Sequence, residues 1–400
     1  MKKNLLLLSS SLFIAFILSE LTVRVFSLLS PQVNFLATAG LAKNYPVTHT
    51  LEEFIESKSV HLQPNRKWQN YYANQLGFYD QEFKREKSET TFRILALGDS
   101  FTFGMVSYPD SAMTLLEDKL NESPALIQSG KFKKVEILNF GIPATGVWDY
   151  KTLADFVIPL YHPDLVLVNF YLGNDGPDLF HHYDDFPNSS KYQLNSLLFN
   201  LVKNLTRYYL ANKAKNLEYI KKRTADSKTD IRGGSLVDSN LPPHSEARAM
   251  YNEKVLSRMY EDELGKLYYT EKDQQESEER WQKVYFALDK IANLSKSINA
   301  SFVISFFPSQ LQVNPQKLDE IGKSESIDPE LPNKMLNSYC SKKQISCFDL
   351  TGGMKEDFEK TKTPLYLEDD VHWNLQGNKV AAELLGQFLS RKFPSQQSLP

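Results

Sequence analysis

Five short apolar segments recur along this chain of 400 residues: Phe92–Leu97, Val135–Asn139, Leu165–Tyr171, Ala300–Phe307 and Ile345–Leu350. Each is too short for a buried helix and runs into a glycine or a proline within a few residues, which is how a strand buried on both faces reads. Between them lie stretches with helical length and patterning, near 111–121, 148–160, 276–296, 330–340 and 377–391. Strands alternating with helices build a parallel sheet with helices on both faces. The pattern therefore predicts an α/β fold, a three-layer α/β/α sandwich around a mostly parallel five-stranded sheet. Residues 180–280 break the rhythm with polar, tyrosine-rich and highly charged sequence, and are expected to form a helical insertion.

Four motifs sit just past the predicted strand ends, the edge at which open parallel sheets bind ligands. They are Gly98-Asp99-Ser100, Asn139-Phe140-Gly141, Gly173-Asn174-Asp175 and Asp369-Asp370-Val371-His372. Taken singly, the first three are also ordinary turns. Taken together they supply one reaction. A serine hydroxyl needs an adjacent base to act as a nucleophile, and His372 is the candidate for Ser100. A carboxylate on the other ring nitrogen fixes the imidazole tautomer. Asp369, three residues before the histidine, is the expected orienter, with Asp370 as the rival. Developing negative charge needs preorganised donors, and the candidates are the Ser100 N–H, the Gly141 N–H and the Asn174 amide. Asn374 is placed to cap the helix that follows.

Other features are weaker. Net charge is −3, which gives no basic field for nucleic acid. Two cysteines without a CxxC spacing give no zinc-type cluster. His181-His182 beside Asp184-Asp185 reads either as a metal site or as a solvated loop. Lys203, Arg207, Lys213, Lys215, Lys221, Lys222 and Arg223 face a single acid, Glu218, either as a basic amphipathic helix or as a solvated one. Cys340 and Cys347 read equally as a disulfide of an oxidising compartment or as two buried thiols.

Met1-Lys2-Lys3-Asn4 followed by a mainly apolar run from Leu5 to Leu29 resembles an export signal. The run is long enough to span a bilayer, Glu20 and Arg24 are spaced to pair at i,i+4, and Leu18-Ser19-Glu20 is a poor cleavage site. An uncleaved signal-anchor over 1–30 is expected; a cleaved peptide and a buried helix are the alternatives. The basic end stays inside, so the body lies outside the membrane. The expected organisation is thus the anchor, a lead-in over 31–90, and a catalytic domain over 91–392 carrying the insertion.

With these residues in place the chain resembles the SGNH/GDSL hydrolase superfamily, over about 92–175 and 285–392. The blocks are Ile94 to Gly104, Asn139 to Pro143, Gly173 to Asp175 and Asp369 to His372. The first block, Gly98-Asp99-Ser100-Phe101-Thr102-Phe103-Gly104, and the turn Asn74 to Phe78 are similar to the membrane-anchored bacterial branch. The family usually ends in Asp-x-x-His-Pro, whereas Trp373-Asn374 follows here, which keeps both aspartates in play. The resemblance implies a flavodoxin-like sheet, a Ser-His-Asp mechanism, O-acyl ester substrates and no cofactor. It implies an envelope protein, anchored in the inner membrane with a periplasmic body, or secreted if the signal is cleaved. Three functions fit: an ester hydrolase, an O-acyltransferase or deacetylase acting on an envelope polysaccharide, and a non-catalytic binding protein on the same scaffold. The partners implied are an O-acylated glycan or lipid and the membrane.

Overall fold

A segment apolar on both faces is satisfied only between two helical layers, and all five predicted segments are strands. The computed structural model describes residues 11, 15–26, 51–56, 64–68, 71–123, 132–176, 198, 260, 274–314, 316–317, 328–368 and 370–393. A short ribbon, β1 (Lys67–Trp68) against β2 (Tyr71–Tyr72), precedes the main sheet. The sheet itself comprises β3 (Thr91–Gly98), β4 (Lys134–Gly141), β5 (Leu165–Tyr171), β6 (Ser301–Phe307) and β7 (Ser346–Asp349). Its order is β4-β3-β5-β6-β7, and every pair is parallel. The chain direction across the sheet reverses at β3, so the crevice beyond the ends of β3 and β5 is the topological switch point where such sheets hold ligands.

The helices of this body are α1 (Leu51–Glu56), α2 (Ser100–Phe103), α3 (Ala112–Glu122), α4 (Val147–Tyr161), α5 (Gln274–Ser297), α6 (Gln310–Val313), α7 (Leu331–Lys343), α8 (Thr351–Thr361) and α9 (Leu375–Lys392). Strand side chains alternate between faces. Ile94, Ala96, Ile137, Leu167 and Val303 join one core with Met113, Leu116 and Leu120 of α3 and Val380, Ala381 and Leu385 of α9. On the opposite face, α4 packs along α5, with Trp148 stacked on Phe286 and Phe170 stacked on Trp281. The lead-in is strapped to this body by the buried Arg93. Its guanidinium donates to the carbonyls of Arg85, Glu86 and Tyr161 and pairs with Glu136 at 2.8 Å. Cys340, at the end of α7, and Cys347, in β7, form a disulfide with a Cα–Cα distance of 6.2 Å.

The chain divides into two compact units, Met1–Val47 with His181–Ile231, and Thr48–Phe180 with Arg232–Pro400. In the first, residues 15–26 are helical, Glu20 pairs with Arg24 at 2.8 Å, and Glu20 also accepts the Leu198 N–H at 2.9 Å. Among the described residues no helix is long and apolar enough to cross a membrane. Twelve helical residues rise only about 18 Å, against roughly 30 Å of hydrocarbon, so the expected membrane helix is not among the described elements. The remainder of 1–30, most of the 180–280 insertion with His181, His182 and the 203–223 basic stretch, and Asp369 lie outside the described residues.

Candidate active site

The site begins with a turn that only glycine permits. A Cβ on Gly98, the last residue of β3, would lie 1.9 Å from Thr102 Oγ1. With no Cβ there, α2 folds straight back over the strand end. Asp99 caps that helix, its Oδ1 accepting the Phe101 N–H at 2.9 Å. Ser100 is thereby lifted onto the first helical residue, 7% exposed, with its N–H among the four that an α-helix leaves without an intrahelical partner.

Two asparagines from the flanking strands hold α2 in place. Asn139 of β4 donates through Nδ2 to the Thr102 carbonyl at 2.8 Å, and Asn169 of β5 donates to Thr102 Oγ1 at 3.1 Å. Ser305 of β6 donates to Asn169 Oδ1 at 2.6 Å and fixes its amide. All of these groups are buried, so each bond is made in a low-dielectric interior. The sequence reading did not assign Thr102, Asn139 or Asn169 a role. The available signal was an asparagine near the carboxyl end of each of these two strands.

His372 arrives on the other side of the serine, in the loop between α8 and α9. Tyr366 bridges Trp373, and the Leu367 N–H donates to the His372 carbonyl at 2.8 Å, so the loop is a small hairpin. Asn374 closes it by capping α9, accepting the Gly377 N–H at 3.0 Å as its position predicts. His372 Nε2 lies 2.6 Å from Ser100 Oγ, and Nδ1 lies 2.6 Å from Asp370 Oδ1. Burial pushes the Asp370 carboxyl up. The hydrogen bond and charge of His372, with backbone N–H donors of His372 and Val371, outweigh burial and hold it below its ordinary value. Asp370 is the acid the structure brings to His372.

Asn174 follows β5 in a turn pinned by Asp175. This buried carboxylate accepts from the Tyr150 hydroxyl and from the Tyr171 N–H, both at 2.7 Å. Burial and then the Asp175 charge drive the Tyr150 hydroxyl well above its ordinary value, so it stays a donor. Gly141 ends β4 directly under α2: a Cβ there would lie 2.2 Å from the Phe103 nitrogen. Its N–H is taken by Asn139 Oδ1 at 3.0 Å. Ser100, Phe101, Met105, His372, Trp373 and Asn378 line a small open cleft. Phe101 forms its floor, stacked on Tyr171 with ring centres 4.0 Å apart and edged by Trp373 at 5.1 Å.

A family model described as an SGNH hydrolase-like domain, acetyltransferase AlgX, matches residues 263–400. That span includes His372 and Asp370 and begins beyond Ser100. No curated protein matches the chain. Solved structures resemble it at low identity. A lipase/acylhydrolase from Enterococcus faecalis is 13% identical with a TM-score of 0.35, over 76% of this chain and 99% of that one. A catalytic mutant of an acetylxylan esterase from Geobacillus stearothermophilus is 13% identical with a TM-score of 0.38, over 76% and 96%. A two-domain esterase active on acetylated mannans is 10% identical with a TM-score of 0.39, over 78% of this chain and 52% of that one.

Proposed function

We propose that the chain is an SGNH-type serine enzyme of the esterase and acyltransferase class, acting on short O-acyl esters. The observation that carries this is the unbroken line Ser100 Oγ, His372 Nε2, His372 Nδ1, Asp370 Oδ1, with 2.6 Å at each hydrogen bond. In the proposed reaction Ser100 attacks the ester carbonyl and His372 takes its proton. Asp370 keeps the other ring N–H in place and stabilises the imidazolium. The Ser100 N–H and the Asn174 amide receive the oxyanion. Collapse expels the alcohol, protonated by His372, and leaves an acyl-serine, which water or a second hydroxyl then releases.

The acetyl group named in the family description over 263–400 supports a short acyl group over a long chain. The family description over 263–400 names an acetyltransferase, and that favours a second reading in which the acceptor is a polysaccharide hydroxyl. Placement outside the cytoplasm is part of the proposal. It is supported by the basic-then-apolar start Met1–Leu29 and by the Cys340–Cys347 disulfide, a bond that persists in oxidising compartments.

The test is turnover of p-nitrophenyl acetate and p-nitrophenyl octanoate by the purified full-length protein, with Ser100→Ala alongside. Acetate is hydrolysed faster than octanoate, and the variant neither turns over nor takes a fluorophosphonate label. Equal rates for the wild type and Ser100→Ala would leave a binding role on this scaffold. Rate acceleration by an added oligosaccharide, with acylated sugar as product, selects transfer over hydrolysis.

A further inference from the structure

In the five-stranded sheet β4 is an edge strand, so every second N–H along it faces away from β3. Side chains take those donors. The Val135 N–H donates to Asn121 Oδ1 at 2.8 Å, the Ile137 N–H to Glu117 Oε2 at 2.6 Å and the Asn139 N–H to Asp80 Oδ2 at 2.8 Å. Asn121 and Glu117 belong to α3, the helix that packs beside the strand. Asp80 comes from the lead-in, 59 positions before Asn139.

The bond from Asp80 falls on the residue that holds the helix carrying Ser100. Asn139 anchors α2 through its amide, donating to the Thr102 carbonyl at 2.8 Å and accepting the Gly141 N–H at 3.0 Å. The second oxygen of Asp80 accepts the Gln81 N–H at 2.7 Å and the Tyr108 hydroxyl at 3.0 Å. Tyr108 lies just beyond α2, past the cleft residue Met105, and its ring stacks on Tyr71 with centres 3.8 Å apart. Tyr79, next to Asp80, stacks on Phe103, the last residue of α2, at 5.2 Å. The lead-in thus reaches α2 through Asn139, through Tyr108 and directly at Phe103, and Asp80 carries the first two links. Three donors converge on its two oxygens. An amide cannot do the same: its one carbonyl oxygen would serve one side, and its NH₂ would face a donor on the other.

We propose that Asp80 is a positioning residue for Ser100, setting α2 through the Asn139 amide and through Tyr108. It acts through these two side chains and touches no substrate. The proposal rests on the ester-cleaving reading above and extends it to a residue of the lead-in.

The test measures p-nitrophenyl acetate kinetics and the rate of fluorophosphonate labelling of Ser100 in the full-length protein, well below the melting temperature of each variant. In Asp80→Asn kcat falls by roughly 10–100-fold with KM little changed, because a misplacement of about 1 Å costs on the order of 10²-fold. Labelling slows by the same factor. Tyr108→Phe keeps the stacked ring, breaks one of the two links and lowers kcat by a smaller factor; it decides the matter if Asp80→Asn does not fold. Glu117→Ala removes the equivalent bond two residues earlier on the same strand edge, where the receiving residue, Ile137, has no polar group to hold α2. That variant loses stability and keeps the wild-type kcat. Wild-type kcat in Asp80→Asn, or in Tyr108→Phe where the first variant does not fold, or an equal fall in Glu117→Ala, overturns the assignment and leaves the ester-cleaving reading standing. A wild type that neither turns over nor takes the label overturns both.

Discussion

Gly141→Ala separates packing from catalysis at one position. The added Cβ would sit 2.2 Å from the Phe103 nitrogen, 2.7 Å from its Cα and 2.7 Å from the Thr102 carbonyl carbon, where ordinary contact begins at 3.4 Å. All three atoms are backbone, so about 1.2 Å of movement must come from α2 or from β4. Neither yields easily. Thr102 is held by Asn139 and Asn169 from both flanking strands, and β4 is locked in register with β3 through the Gly98–Gly141 pair. Overpacking of this kind costs about 1–3 kcal/mol. At about 2–4 °C per kcal/mol for a domain of this class, the melting temperature drops by roughly 2–12 °C. Ser100 begins the displaced helix, and a misplacement of about 1 Å costs on the order of 10²-fold in rate. Calorimetry and p-nitrophenyl acetate kinetics on one preparation read both numbers. A variant with wild-type melting and wild-type turnover would refute the claim that β4 and α2 touch through this glycine.

Asp370→Asn keeps the shape at His372 but removes the charge that holds Nδ1–H; turnover falls by about 10⁴-fold while Ser100 and the fold remain. A drop smaller than tenfold at neutral pH, measured with the same ester, would mean that another carboxylate orients the histidine. Asp80 sets a pH dependence of stability. Burial raises its carboxyl to about 7, against opposing hydrogen bonds from Asn139, Gln81 and Tyr108. A carboxyl raised in the folded state binds its proton more tightly there. Its contribution is therefore complete below about pH 4 and is lost as pH rises to about 7, with an amplitude up to roughly 4 kcal/mol. Urea unfolding at pH 5 and pH 8 gives a steeper decline for wild type than for Asp80→Asn, and equal declines would exclude this source.

The sheet was legible because its strands are apolar on both faces and end at Gly98, Gly141, Gly173 and Pro308; each observed strand lies within about two residues of its segment. All five predicted helices were found; α7 runs three residues further than expected, and α9 begins two residues early because Asn374 caps it. What was not legible depends on neighbours distant in sequence. The helix α8 opens Thr351-Gly352-Gly353, glycines that read as a loop and that tertiary packing holds helical, with Met354 fully buried. The β1–β2 ribbon is too short to register as strands. Ser100 and His372 were visible as residue types in order. Asp370 could not be separated from Asp369 by spacing alone, since either fits within one turn of a histidine; the Tyr366–Trp373 bridge holds the loop in which Asp370 meets Nδ1, and Asp369 lies outside the described residues. Gly141 was assigned a free N–H because glycine suits that task, but the asparagine two residues earlier already holds it, a contact that no motif encodes.

Ser100 and His372 are 272 positions apart, and the α9 residue Asn378 accepts the Ala112 N–H at the start of α3 from 266 positions away. The strands β3, β4 and β5, with the serine at their edge, are complete once about 171 residues have been made. The base is delivered only when the last thirty or so residues have docked on the first helix of the sandwich. A nascent chain therefore carries an inert serine throughout most of its synthesis. The contact between base and nucleophile is made as the final act of folding.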